Sequence, residues 1–185
     1  MRRKQVTWFL IFCITAILLA ARDRDPLVQV AEKLSDAGLR EKVIEFGEEG
    51  IQRSIADDYD IDKVTEYAAS LVGTPHSMGG YSPEGIDCSG LVKLSHEKSG
   101  IKLPRSSHEQ ARYGMIISPD EKLSKGDLVF FHSTYATKNL VTHSGIYLGN
   151  NKFIHTSTKR GVVISELFDD GYWQQHYLFA TRLLK

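Results

Sequence analysis

The spacing of apolar residues changes along the chain, from a helical period in the first part to a strand period after residue 113. Ile61, Val64, Ala68 and Leu71 recur every three or four positions, which is the spacing of an amphipathic helix. The later apolar runs are short, rich in β-branched and aromatic residues, and separated by turn residues, which indicates strands. Helices followed by a group of short strands predict an α+β fold, with N-terminal helices packed on an antiparallel sheet.

The helical part contains clear start and stop signals. Asp87 is a good N-cap directly before an apolar run, and Gly73 and Pro75 form a usual stop. Residues 76–85 are rich in Gly, Ser and Pro and read as a loop. We predict helices over residues 22–58, over residues 60–71, from Cys88 to about residue 100, and from residue 106 or 107 to residue 113.

The second part of the chain predicts five strands, over residues 127–132, 142–148, 152–157, 162–165 and 177–184. Gly149, Asn150 and Asn151 separate the second strand from the third and read as a hairpin turn. This turn would place His155 opposite His143 on the neighbouring strand or diagonally next to it, near enough for the two imidazoles to meet.

The N-terminus has the three parts of a secretory signal or a membrane anchor. A basic start, "MRRK", precedes an uncharged apolar run over residues 6–21, and "RDRD" follows. The run is shorter than the roughly 20 residues that span a bilayer comfortably, and a buried helix is the alternative. We expect residues 1–21 to be a signal peptide or an anchor and residues 22–58 a helical spacer. The protein would then be exported to the periplasm or cell envelope.

Composition narrows the range of functions that the chain could have. The chain has 185 residues, with 23 Lys and Arg against 23 Asp and Glu, so no basic face for a nucleic-acid partner is expected. Cys13 lies in the apolar N-terminal run, which leaves Cys88 as the single cysteine of the exported part. An unpaired thiol in an oxidising compartment is a candidate reactive group.

Cys88 has the surroundings of a nucleophile. At the first position of a helix, the thiol lies near unpaired backbone N–H groups and the positive end of the helix dipole, and both favour a thiolate. The same N–H groups can stabilise an oxyanion on an attacked carbonyl. A small buried apolar residue is the alternative interpretation of this cysteine.

A nucleophilic cysteine needs a base, and the base needs a group that orients it. His143 would take the thiol proton, and His155 would bind its other ring nitrogen and fix the tautomer. Two alternative interpretations of the histidines remain open from the sequence alone. The histidines could be an ordinary hydrogen-bonded pair in a sheet, or Cys88 and the two histidines could bind zinc, although no short CxxC or HxxxH spacing supports a metal site.

Four motifs in order resemble the NlpC/P60 family of cell-wall cysteine peptidases: "GIDCSGLV", "GIKLPRSSHEQ", "LSKGDLVFF" and "THSGIYLGNNKFIH". The resemblance covers about residues 60–185 and implies a papain-like catalytic domain over residues 59–185. It also implies hydrolysis of peptidoglycan stem peptides or muropeptides without a metal or other cofactor. The bond that family members commonly cut joins γ-D-glutamate to diaminopimelate or lysine.

The resemblance assigns roles residue by residue. Cys88 matches the nucleophile, His143 the general base and His155 the third polar residue. Four more residues match positions along the substrate groove: Asp87, Ser89, Arg105 and Ser106. Asp87 is often the partner of a free substrate amine in the family, which would favour stems without an attached glycan.

One position departs from the family pattern. Many members have a "PYxxGG" segment, and this chain has "PHSMGG", with His76 in place of the tyrosine that helps at the oxyanion and substrate side. A histidine still donates a hydrogen bond, so we expect activity to persist; Tyr81 is an alternative donor. The rival hypotheses are a related cysteine amidase or acyltransferase, an antibacterial effector, and a catalytically silent wall-binding domain.

Overall fold

The computed structural model describes residues 25–51, 56, 58–117, 121–169 and 171–184. The expected signal peptide or anchor over residues 1–21 lies outside the described residues. Within the described ranges, no helix is both long enough and apolar enough to cross a bilayer.

The fold is the predicted α+β arrangement, with one main antiparallel sheet. The helices are α1 Pro26–Lys33, α2 Ala37–Glu48, α3 Ile61–Ser70, α4 Cys88–Glu97, α5 Ser107–Gln110 and α6 Tyr172–His176. The strands are β1 Tyr81–Ser82, β2 Gly85–Ile86, β3 Met115–Ile117, β4 Leu128–Phe131, β5 His143–Gly149, β6 Lys152–Ser157, β7 Gly161–Glu166 and β8 Tyr177–Arg182. Strands β1 and β2 form a small hairpin, and the large sheet has the order β3-β8-β4-β5-β6-β7.

The stretch over residues 22–58 was predicted as one helix, but its described part, residues 25–51, contains the two helices α1 and α2 instead. Leu34 adopts an extended conformation and ends α1, and Asp36 then caps α2 by accepting a hydrogen bond from the backbone N–H of Leu39. An aspartate that bonds a backbone N–H ahead of it favours a new helix start over continuation of the old one. The helical period of the apolar residues runs through this break and does not reveal it.

The two faces of the sheet are covered differently. Helix α4 packs against β5 and β6, and its buried Leu91 and Val92 join a core that includes Ile146 and Ile154. The opposite face holds a second apolar cluster, against which Trp173 of α6 packs. The helices α4 and α6 therefore lie on opposite sides of the same strands.

The hairpin between β5 and β6 sets the histidine register. Gly149, Asn150 and Asn151 all have positive φ, which a tight turn of this kind requires. Ile146 pairs with Ile154, and this register continues to place His155 opposite Gly145 and diagonal to His143. A side chain at residue 145 would come within 2.7 Å of the Phe153 ring, so a glycine there leaves the histidines room to meet.

Candidate active site

Helix α4, which begins at Cys88, has a fully engaged N-cap. Asp87 Oδ1 accepts hydrogen bonds from the Gly90 N–H at 2.7 Å and from the Ser89 hydroxyl at 3.1 Å. Asp87 Oδ2 accepts from the Gly79 N–H at 3.0 Å. These bonds fix the first turn of α4 and tie it to the loop that precedes β1, so the position of Cys88 is set from both sides.

Arg105 completes this network. Its guanidinium donates to Asp87 Oδ1 at 2.8 Å and to Oδ2 at 2.7 Å, a bidentate pair, and also donates to the Ser89 hydroxyl at 2.9 Å. Burial would raise the pKa of Asp87, but the bonds from Arg105, Gly90 and Ser89 and the charge of Arg105 lower it overall. Asp87, Ser89 and Arg105 thus bind one another, and the Asp87 carboxylate is neutralised from within the protein.

The Cys88 thiol is half-buried at the tip of α4. Its Sγ lies 3.5 Å from the Ser107 Oγ. Burial alone would raise the pKa of this thiol, but the charge and hydrogen bond of His143, with further hydrogen bonds from Ser107 and the Ser144 backbone, lower it from 9.0 to about 7. A substantial fraction of Cys88 is therefore a thiolate near neutral pH.

His143 and His155 form the expected pair. His143 Nε2 lies 3.1 Å from His155 Nδ1, which leaves the His143 Nδ1 for the thiol. His155 Nε2 lies 3.0 Å from the Ser165 Oγ. Burial, followed by the charges of His143 and Arg160, lowers the pKa of His155 to about 2, so His155 is neutral and its Nδ1 can accept the His143 N–H.

His143 therefore lies between Cys88 and His155, and the three side chains do not converge on one point. Zinc ligands surround their ion, so this arrangement differs from the zinc interpretation of the same residues. Among the described ranges, no group of three or more His, Cys, Asp and Glu side chains has a spacing that would hold a metal ion.

His76 is held near Cys88 by main-chain bonds. It forms a parallel bridge with Ile86, two residues before Cys88, and its half-buried side chain lines the same cleft as the thiol. Tyr81, the alternative donor, does not line this cleft; its hydroxyl is buried, with no partner among the described residues.

The thiol opens onto a cleft of about 810 Å³. Its lining includes the loop around His76, Arg105 and Ser106, and residues 156–159 together with Tyr172 and Trp173 of α6. Tyr135 and Thr142 line it as well. All eight residues that the sequence motifs single out line this cleft except His155, which lies behind His143.

Comparison with known proteins identifies the family, since the model of the NlpC/P60 family matches residues 73–182. The chain belongs to the NlpC/P60 family. A probable endopeptidase NlpC homolog of Haemophilus influenzae is 46% identical over 114 residues, 61% of this chain and 57% of the relative. The murein DD-endopeptidase MepS/murein LD-carboxypeptidase of Escherichia coli K12 is 39% identical over 123 residues, 66% of this chain and 62% of the relative.

Solved structures of the family agree with the fold. A crystal structure of an NLP/P60 family protein similar to a lipoprotein, from Staphylococcus aureus, superposes with a TM-score of 0.62 at 34% identity, over 79% of this chain and 49% of that one. The chain thus spans about three fifths of the length of the first two relatives, and less of this structure.

The structure brings a further serine to the thiol of this NlpC/P60 domain. Ser106, which the motif suggested, caps α5 through a hydrogen bond from the Glu109 N–H to its Oγ. The next residue, Ser107, is the one that reaches Cys88, and it also lies 3.0 Å from the Ser144 Oγ. The serine in contact with the Cys88 thiol is therefore one position later than the motif suggested, because Ser106 is used to start the short helix.

Trp173 is a second site residue that the sequence patterns did not reveal. Its ring stacks on His143 with centroids 5.0 Å apart and an angle of 22°, and its edge meets His155 at 4.4 Å. It also lines the cleft. A half-buried indole therefore covers the histidine pair from the solvent side, and only the contacts across the sheet reveal this role.

Proposed function

We propose that this chain is a cysteine endopeptidase that hydrolyses peptidoglycan stem peptides, with Cys88 as nucleophile, His143 as general acid and base, and His155 as the residue that orients His143. The observation that carries the proposal is the bonded series from the Cys88 thiol through His143 to His155. The endopeptidase names of the two curated relatives support the substrate class.

The first chemical step follows from the protonation states. Cys88 gives its proton to His143, and the thiolate attacks the carbonyl carbon of the scissile amide to form a tetrahedral oxyanion. His143 then donates that proton to the leaving nitrogen as the C–N bond breaks, which leaves a thioester on Cys88 and a free amine. Water, deprotonated by His143, attacks the thioester and releases the carboxylic acid and the thiol.

The developing oxyanion has two candidate sets of donors. Among the described residues, the backbone N–H groups of Cys88 and Ser89 have no hydrogen-bond partner, and both lie at the N-terminus of α4. His76 lines the same cleft. We assign the α4 N–H groups as the main oxyanion donors and the His76 imidazole as an auxiliary donor, in the place of the family tyrosine.

We propose the bond between γ-D-glutamate and diaminopimelate, or lysine, as the one cut. The Escherichia coli relative carries a name that specifies a DD bond, so the product analysis must distinguish the two. The Asp87 carboxylate is already paired with Arg105, and its use by a free substrate amine would require that pair to open.

Peptidoglycan lies outside the cytoplasm, and we propose export guided by residues 1–21. Membrane anchoring is not part of the proposal.

The test is digestion of purified muropeptides, with products identified by mass spectrometry. We expect a new free carboxylate on γ-D-glutamate, no cleavage by Cys88→Ser, and full cleavage in the presence of a metal chelator. Cleavage that survives Cys88→Ser, or that stops with the chelator, would overturn the mechanism. Absence of both cleavage and labelling of Cys88 by a thiol-reactive probe at neutral pH would favour the silent wall-binding domain.

A further inference from the structure

A second cavity, of about 370 Å³, opens beside the catalytic cleft. It lies between α2 and the loop before β5, and it shares Tyr135 and Thr142 with the cleft. The two cavities are therefore neighbours, and both are bordered by the segment that leads into β5.

The second cavity is polar and carries one cation. Lys42 of α2 is its only charged lining residue, and among the described residues no ion pair reaches the Lys42 side chain. Hydroxyl and amide groups of Ser133, Thr137 and Asn139 line it as well, with Leu39 and Leu140 as apolar neighbours. An unpaired ammonium among neutral donors is complementary to an anionic oxygen group.

The charges of the catalytic cleft also favour an anionic ligand. Asp87 is its only acidic lining residue and is neutralised by Arg105, whereas Lys159 has no ion-pair partner among the described residues. Apart from the Cys88 thiol, the uncompensated charges that line the two cavities are therefore the cations Lys42 and Lys159. Such a surface favours a ligand with carboxylates over one with free amines.

The position of Lys42 is fixed by the fold. Helix α2 is held to the domain by Phe46, which is buried in the main core, and by Arg112, which donates to the Phe46 carbonyl at 3.1 Å and to the Gly50 carbonyl at 3.0 Å. Lys42 lies one helical turn before Phe46 on this anchored helix. Its ammonium is thus presented to the cavity by a rigid element.

We propose that the second cavity is a substrate subsite that binds a carboxylate of the stem peptide through Lys42. The inference rests on the proposed function, because the peptide that enters this subsite is the one cut at Cys88. It gives the helices before the family domain a part in substrate choice.

The experiment compares wild type, Lys42→Ala and Lys42→Glu on defined muropeptides and on the same muropeptides with each carboxylate amidated in turn. We expect KM for the acidic substrate to rise about fivefold in Lys42→Ala, as for loss of an exposed ion pair, and further in Lys42→Glu, with kcat unchanged. The amidated peptide that lacks the bound carboxylate should show equal KM in all three proteins. The Lys42 effect should also shrink at high salt.

Arg40 provides the matched control, since it is an exposed cation on α2 that does not line the cavity, and Arg40→Ala should retain the wild-type KM. Equal KM in wild type and Lys42→Glu for every acidic peptide would overturn the subsite. Failure of the proposed function is separately visible, because the wild type itself would then leave all muropeptides uncut.

Discussion

The reactivity of Cys88 depends on one neighbouring imidazole. Burial raises the pKa of this thiol, and His143 is the leading influence that lowers it to about 7. In wild type, the rate of Cys88 alkylation by iodoacetamide should therefore rise with pH through an inflection near 7. In His143→Ala the inflection should move upward by about 1–3 pH units, because burial then acts without the compensating charge.

The alkylation is followed on the peptide that contains Cys88, by mass spectrometry, so that Cys13 does not contribute. The denatured protein is the control, and its Cys88 should titrate at the ordinary value for a thiol. An inflection that stays near 7 in His143→Ala would contradict the role of the imidazole.

His155 acts by accepting a hydrogen bond in its neutral form. His155→Leu removes the acceptor for the His143 N–H, and we expect kcat to fall by about 10²-fold, the scale of a general acid–base contribution, with KM little changed. His155→Asn restores an oxygen acceptor and should recover most of the loss. Steady-state kinetics on one muropeptide check both variants; equal kcat in the two variants would argue against the hydrogen bond.

His76 stands where the family has a tyrosine, and both side chains can donate a hydrogen bond. His76→Tyr should keep or raise kcat, because the main-chain bridge to Ile86 holds either side chain beside the thiol. Turnover of this variant is compared with that of Cys88→Ala on the same muropeptide. A loss as complete as that of Cys88→Ala would reject the prediction.

Local chemistry made much of the site predictable at the level of single residues. Asp87 is visible as a cap and Cys88 as the residue after it, and the turn after β5 brings the two histidines together. Ser107 and Trp173 were not predictable in the same way. Their roles depend on which residue of α5 faces the thiol and on which side of the sheet α6 packs, and no short-range signal encodes either.

The helices and strands also divide into those that local sequence signals predict and those that they do not. Helix α4 and the β5–β6 hairpin carry strong local signals, an aspartate cap and three turn residues with positive φ. Strand β3 has three residues and, among the described residues, pairs with β8 alone; α6 has five residues and no side-chain cap. Such short elements are stabilised by tertiary contacts instead of intrinsic propensity, so the apolar pattern does not predict them.

Helix α6 gives the next prediction, because it carries the indole that covers both histidines. Trp173→Ala should lower kcat by roughly tenfold or more through loss of positioning, and should raise the pH of the Cys88 alkylation inflection. Trp173→Phe keeps a ring on His143 and should recover most of both properties. A purely structural role would lower stability without moving the inflection.

Gln175 is the matched control for α6, because it is exposed on the same helix and does not line the cleft. Gln175→Ala should leave both kcat and the inflection at wild-type values. If Gln175→Ala changed kcat as much as Trp173→Ala, the effect would belong to the helix as a whole and not to the indole.

At the scale of the whole molecule, the chain before the family domain is part of its core. Residues 22–58 were expected to be a spacer, and that division stays a prediction. Yet Phe46 of α2 packs on Phe179 of β8, with ring centroids 5.9 Å apart, and on His108 at 5.2 Å. The Arg112 guanidinium lies over the same ring at 4.1 Å and pairs with Glu49. The contacts join α2 to the sheet that carries both histidines.

The chain should therefore unfold as one cooperative unit that includes α2. Phe46→Ala removes a fully buried ring, and we expect the free energy of unfolding to fall by about 3–5 kcal/mol, in one cooperative denaturant transition. Ile44→Ala, on the same helix but 37% exposed, should change it by less than about 0.5 kcal/mol. A detached spacer would give equal values for both variants, because the catalytic domain would then unfold without sensing α2.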